Sequence, residues 1–221
     1  MDLLKELASV LAAGVMVVSG ALKEAAPQHN ADGLLFLVNR QYMISDAFEP
    51  ADLREAQVPG RVRQMRDEAA TALEEMYAAC LEETETQLIS VSGYRSYAKQ
   101  NALYKAKLQR VGGKVEKAQE YVAPPGASEH HLGLSFDVNV PKTSSFAGTK
   151  QCAWLHEHCW EYGFIIRYQE GKEAITGFSA EAWHIRFVGV EHSLIMRDQN
   201  LCLEEYLEQA VNREASEQGE G

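Results

Sequence analysis

The sequence has no run of basic residues and no stripe in which basic and aromatic positions alternate. Its 32 acidic against 21 basic residues leave a net charge of -11. Such a chain repels a phosphate backbone, so nucleic acid is not an expected partner. Cysteine is sparse: Cys80, Cys152, Cys159 and Cys202 form no Cys-x-x-Cys pair and do not settle the redox compartment. There is no internal repeat. The uncharged, largely apolar stretch from Leu7 to Leu22 is short for a membrane span. It ends near Ser19-Gly20-Ala21, the small-residue spacing of a signal cleavage site, but its leader Met1 to Glu6 carries two acids and one base, unlike a signal n-region. We expect a divergent or clipped signal or anchor over 1–30, and with it an extracytoplasmic, membrane-associated location. The alternative is an N-terminal packing helix and a cytoplasmic protein.

Residues 31–205 are enough to bury one substantial core, and 206–221 read as an acidic tail. Glu82-Glu83-Thr84-Glu85 and the stretch from Glu204 onward read as solvated charge. Helical periodicity covers about 62–83, 96–111 and 147–162, and strand-like runs cover about 34–39, 87–92, 135–140, 164–168 and 183–188. Short connections between segregated helices and strands predict an α+β domain, a small antiparallel sheet with flanking helices.

Two polar clusters carry the chemistry. The first runs from Ser128 through Glu129, His130, His131, Leu132, Gly133, Leu134, Ser135 and Phe136 to Asp137. The second is Glu181-Ala182-Trp183-His184. Together they offer two His and one Asp, the ligand count of an open catalytic zinc site, with a carboxylate close by to move protons. No second Glu-x-x-His occurs, which argues against a two-helix di-iron centre.

His130 and Asp137 lie seven positions apart, about 10.5 Å of rise on one helix, too far for side chains meeting at one ion. The alternation from Ser135 to Val140 instead predicts a strand with Asp137 on one face and Phe136 and Val138 on the other. Gly133 permits the bend that folds His130 back over it. Trp183, Ile185 and Phe187 alternate with His184 and Arg186, so His184 is expected on a neighbouring strand. In an extended strand Glu181 would face away from His184. It is therefore expected in the turn entering that strand.

These residues resemble the LAS-type zinc peptidases, with their Ser-x-His-x-x-Gly-x-Ala-x-Asp and later Glu-x-Trp-His patterns, and most of all the VanY-type D-alanyl-D-alanine carboxypeptidases and related D,D-dipeptidases of peptidase family M15. Leu37-Val38-Asn39, Met65 to Ala70, Ser92-Gly93-Tyr94-Arg95-Ser96-Tyr97 with Gln100, Ala123-Pro124-Pro125-Gly126 and Gly163 to Tyr168 carry the likeness, over about 33 to 190. It implies a hedgehog/D,D-peptidase-like fold and a zinc ion held by His130, Asp137 and His184. It further implies Glu181 as general base, Arg95 as the cation at the developing oxyanion, and a substrate contacted by Ser128, Gln100, Tyr97 and Trp183. The implied partner is a peptidoglycan stem peptide or its precursor, from which the terminal D-Ala is removed. A D,D-dipeptidase, an L,D-carboxypeptidase and a non-catalytic cell-wall binding module are the alternatives; a binder would have no need of Glu181. Oligomeric state is not indicated.

Ser135 stands where the family has Ala. Ala180, Ala182 and Ile185 replace the family's Tyr, Pro and Tyr around Glu181 and His184, and Gln169 replaces a Pro. These changes alter the walls and spare the ligands. His131 falls outside the pattern and is expected to act locally. The group Cys152, His156, His158 and Cys159 reads as one amphipathic helix with Cys152, Leu155 and Cys159 inward, in preference to a second metal site. Cys152 and Cys159 would lie about 10.5 Å apart along it, too far for a disulfide.

Overall fold

A computed structural model of the chain describes residues 16–18 and 33–209. Strand β1 (Met16–Val18) runs parallel to β2 (Tyr42–Ile44), and β3 (Leu53–Glu55) pairs antiparallel with β4 (Gln64–Arg66). Helix α1 (Asp67–Thr84) follows. It buries Ala69, Ala70, Leu73, Met76, Tyr77 and Cys80 along one face, and Asp67 and Glu68 sit at the positive end of its dipole. Helicity starts later than the expected 62 because residues 64–66 are held in the β3–β4 ladder. Glu83 is not merely solvated: its carboxylate accepts the Trp154 indole N–H at 2.9 Å.

After β5 (Ile89–Ser92) come α2 (Tyr97–Arg110), capped by the Ser96 hydroxyl, and the short α3 (Val115–Gln119). A turn of 3₁₀ helix (Glu129–Leu132) leads into β6 (Ser135–Asn139). The remaining elements are α4 (Lys150–His158), extended by a 3₁₀ turn over Cys159–Tyr162, then β7 (Phe164–Tyr168), α5 (Glu173–Thr176), β8 (Glu181–Phe187), α6 (Val190–Asp198) and a helix over 203–209. The main sheet has the order β5-β6-β8-β7, antiparallel throughout. Its core face presents Phe136, Val138, Phe164, Ile185 and Phe187 to α1, α4 and α6, and the sheet's other face supports the site. The α+β expectation holds. Cys152, Leu155 and Cys159 are buried as expected, and all four cysteines are free.

Three expectations are corrected. Residues 34–39 form no strand, although Leu34 to Val38 are all buried. The carbonyls of Leu34 and Phe36 accept bonds from the Arg186 guanidinium at 2.8 and 3.0 Å, so that cation does what a neighbouring strand would have done. The segment from Glu204 does not begin as a frayed end either. Glu204 forms a bidentate pair with buried Arg167 at 2.6 and 2.8 Å, and Leu207 joins the core.

The third correction concerns Glu181, which is the first residue of β8, paired with Tyr168, and not part of a preceding turn. Ile166 pairs with Ile185, so three residues of β8 lie opposite Arg167 alone. This irregularity works as a bulge, shifting the two-residue alternation so that Glu181 and His184 reach the same cavity. The expected signal or anchor over Leu7–Leu22 lies outside the described residues apart from the backbone of Met16–Val18, and so does the tail beyond 209. Among the described residues no helix is long and apolar enough to cross a membrane.

Candidate active site

Asp137 occupies the middle of the sheet, paired with Ser92 on β5 and His184 on β8. Direct cross-strand pairing brings side chains to within about 5 Å, so the ladder alone sets His184 beside Asp137. His184 Nδ1 lies 2.9 Å from Asp137 Oδ1. His130 arrives from the 3₁₀ turn. Gly133 ends that turn at φ 65°, and a Cβ there would stand 2.7 Å from Leu53. Its backbone reversal leaves His130 Nε2 at 3.4 Å from Asp137 Oδ2. The two rings meet edge to face, with centroids 5.0 Å apart.

His130 Nδ1–H donates to the Gly93 carbonyl at 2.8 Å, which reserves Nε2 for the centre. Glycine is required at 93: a Cβ would come within 2.6 Å of the Gln64 carbonyl oxygen. Glu181 Oε2 stands 3.7 Å from His184 Nδ1, near the trio but outside it. Burial, followed by the neighbouring Asp137 charge, pushes its carboxyl above the usual range against the pull of His184 and Arg95.

Arg95 is held in place from two sides. Its guanidinium donates to Gln100 Oε1 and Ser92 Oγ, each at 2.7 Å, and approaches Asp137 at 4.0 Å. Gln100 in turn donates to the Ala123 carbonyl at 2.6 Å, so much of its amide is occupied in positioning Arg95. Ser128, Gln100 and Trp183 line the same cavity of about 420 Å³ as the trio, Glu181 and Arg95. Tyr97 does not line it and stacks instead on the His131 ring at 5.9 Å. His131 acts locally as expected. Its Nδ1–H donates to the Arg95 carbonyl and its Nε2 accepts from the Gly126 N–H, and burial lowers its pKa to about 4, fitting the neutral ring those two bonds need.

One carboxylate was missed from the sequence. Glu129 is 1 % exposed and pairs with Arg167 Nε at 2.8 Å and with Arg186 at 3.0 Å, the latter off hydrogen-bond alignment. Its other oxygen accepts the Ser135 hydroxyl at 3.2 Å and faces His184 Nε2 at 3.8 Å. Burial alone would raise its pKa; Arg167, Arg186 and His184 together hold it well below the usual range. Ser135, the departure from the family's Ala, thus has a partner for its extra hydroxyl. Two arginines in otherwise apolar strands were the available signal, because a buried guanidinium demands an anion.

The donors suit a zinc ion. One ligand atom from each of His130, Asp137 and His184 lies within 4.8 Å of the others, and each imidazole turns its second nitrogen to an oxygen. Despite burial, the surrounding carboxylates, Asp137 first, raise the His184 pKa to about 9, which shows how strongly this pocket favours positive charge. A His130→Ala, His184→Ala double variant is expected to retain no zinc after gel filtration. Full occupancy by metal analysis would place the ion elsewhere.

Residues 62–190 match the VanY family, described as D-alanyl-D-alanine carboxypeptidase. The chain belongs to this family. It is 38% identical over 190 residues to YodJ of Bacillus subtilis (strain 168), a candidate carboxypeptidase, covering 81% of this chain and 68% of that one. It spans less than half the length of the D-alanyl-D-alanine carboxypeptidases of Enterococcus faecium and Enterococcus faecalis that it matches, 44% and 47%. The LdcB LD-carboxypeptidase structure superposes with a TM-score of 0.76 at 35% identity, covering 89% of this chain and 91% of LdcB. A zinc-bound VanY D,D-pentapeptidase variant from a VanB-type resistance cassette gives 0.68 at 34%, covering 78% and 98%. The site of this VanY-family member is built on its four-stranded antiparallel sheet, with Asp137 on β6, His184 on β8 and His130 brought in by the 3₁₀ turn.

Proposed function

We propose that this chain is a zinc-dependent D-alanyl-D-alanine carboxypeptidase that hydrolyses the terminal D-Ala of peptidoglycan stem peptides outside the cytoplasm. The observation that carries the reading is the convergence of His130, Asp137 and His184 in one cavity with the half-buried carboxylate of Glu181 just outside the trio. Zinc bound by the trio supplies Lewis acidity, polarising a carbonyl and acidifying a water molecule. Glu181, its pKa raised by burial, takes the proton of the attacking water and delivers it to the leaving amine. Arg95, held in place by Gln100, meets the charge that develops on the scissile carbonyl oxygen, and Ser128 receives the terminal carboxylate. Trp183, 40 % exposed at the cavity wall, offers an apolar face to the peptide. The Leu7–Leu22 segment would serve as signal or anchor.

Arg95→Ala is expected to fold normally and to lower turnover about 10²- to 10³-fold. An unfolded variant, or one with normal turnover, would make Arg95 a scaffold partner of Asp137. The higher structural likeness to LdcB supports a second reading, an L,D-carboxypeptidase. Incubating zinc-loaded protein with tri-, tetra- and pentapeptide stems separates them. D-Ala from the pentapeptide supports the D,D assignment, D-Ala from the tetrapeptide the L,D assignment, and a released dipeptide a dipeptidase. Binding without release would leave a cell-wall binding module.

A further inference from the structure

Cations cluster over α2, α3 and the turn between them. Between 97 and 117 stand Lys99, Lys105, Lys107, Arg110, Lys114 and Lys117 against Glu116 alone, in a chain of net charge -11. Elsewhere the basic side chains are largely neutralised: Arg54, Arg63, Arg66, Arg95, Arg167, Lys172, Arg186 and Arg197 all have carboxylate partners. Among the described residues none of the six between 97 and 117 does. Two of them, Lys107 and Arg110, line the active-site cavity, with Lys107 Nζ resting 4.1 Å above the Tyr121 ring. Of the residues on α2 only Gln100 is buried, so the helix contributes little to the core and presents its charges to the cleft and to solvent.

We infer that Lys107 and Arg110 form an anion subsite for a second carboxylate of the substrate, remote from the scissile bond; the inference rests on the carboxypeptidase reading. Gln100 marks the end of α2 nearest the trio, through Arg95. From it the helix rises about 10.5 Å to Lys107 and about 15 Å to Arg110. An extended peptide advances about 3.3 to 3.6 Å per residue, so the span corresponds to three or four residues. A cavity of about 420 Å³ has room for more than one terminal D-Ala. Its lining includes the apolar Leu103, Tyr121 and Val122 as well as these two cations. The subsite therefore selects stem peptides that carry a free carboxylate at that distance over those in which the group is amidated.

The test uses zinc-loaded Glu181→Gln protein, so that peptide is not consumed, and calorimetric binding of two synthetic pentapeptides ending in D-Ala-D-Ala. They differ only in carrying carboxylates or carboxamides at the third and fourth residues from the C-terminus. The carboxylate peptide is expected to bind roughly tenfold tighter, the size of one charge-assisted contact, with the advantage shrinking as salt is added. Lys107→Gln, Arg110→Gln in the same background should abolish the preference with zinc content and circular dichroism unchanged. Equal binding of the two peptides, or a preference that survives the double substitution, overturns the subsite. If Glu181-intact protein releases nothing from either peptide while the preference remains, the carboxypeptidase reading fails and the anion subsite stands.

Discussion

Glu181→Gln is expected to lower release of the terminal residue by about 10²- to 10⁴-fold, with folding and zinc content close to those of the unaltered protein. Glutamine keeps the size of the side chain and some of its hydrogen bonding but cannot accept a proton at neutral pH. Three protein ligands complete the protein's share of an open zinc site, and Glu181 stands outside them, 3.7 Å from His184 Nδ1, whereas Asp137 approaches to 2.9 Å. The effect should therefore appear in kcat, with peptide affinity nearly unchanged. Metal analysis and stem-peptide turnover decide the matter together. A variant that loses its zinc reassigns Glu181 to the metal shell, and one that keeps full turnover removes it from proton transfer.

The largest stability effect is expected at Glu129. Replacing it with Ala leaves Arg186, 0 % exposed, with only carbonyl partners, and leaves Arg167 dependent on Glu204 alone. Removing one member of a buried charge pair costs about 3 to 5 kcal/mol, because the surviving charge stays desolvated without compensation. Urea unfolding should show a lower midpoint with an unchanged slope. Zinc affinity should fall about 10- to 100-fold as well, since His184 Nε2 loses the carboxylate it faces. A combined Glu129→Leu, Arg186→Met variant should be less damaged than the sum of the two single changes, because it removes both charges. A Glu129→Ala loss under about 1 kcal/mol would show that water reaches Arg186 readily, and the network would lose its structural role.

Where a side chain's role depends on its immediate neighbours in the chain, the sequence was sufficient. Strand alternation has a period of two, so Ser135 to Asn139 sorts Phe136 and Val138 to the core and Asp137 to the cleft without any knowledge of the partner strands. The bend at Gly133 is equally local, since it depends on a single backbone preference. The same locality made α4 readable as a helix with Cys152 and Leu155 inward, which disposed of a second metal site.

The sequence by itself singled out His130, Asp137, His184 and Glu181 as the candidate site and indicated the α+β class, because residue chemistry within short motifs and short-range periodicity are legible without knowledge of the fold. Only the tertiary structure decided how they are oriented and supported. The bulge that turns Glu181 and His184 into one cavity exists only in the pairing of β7 with β8, and strand alternation alone therefore misplaced Glu181. Residues 34–39 read as a strand because they are largely apolar, yet the carbonyls of Leu34 and Phe36 accept from Arg186, about 150 positions away. Glu129 meets Arg167 across 38 positions, Gln100 is occupied with Arg95, and Tyr97 turns to His131 away from the cavity. Each of these depends on which charges and rings are brought together when water is excluded, and a buried charge finds its partner by proximity in space, for which separation along the chain carries no signal.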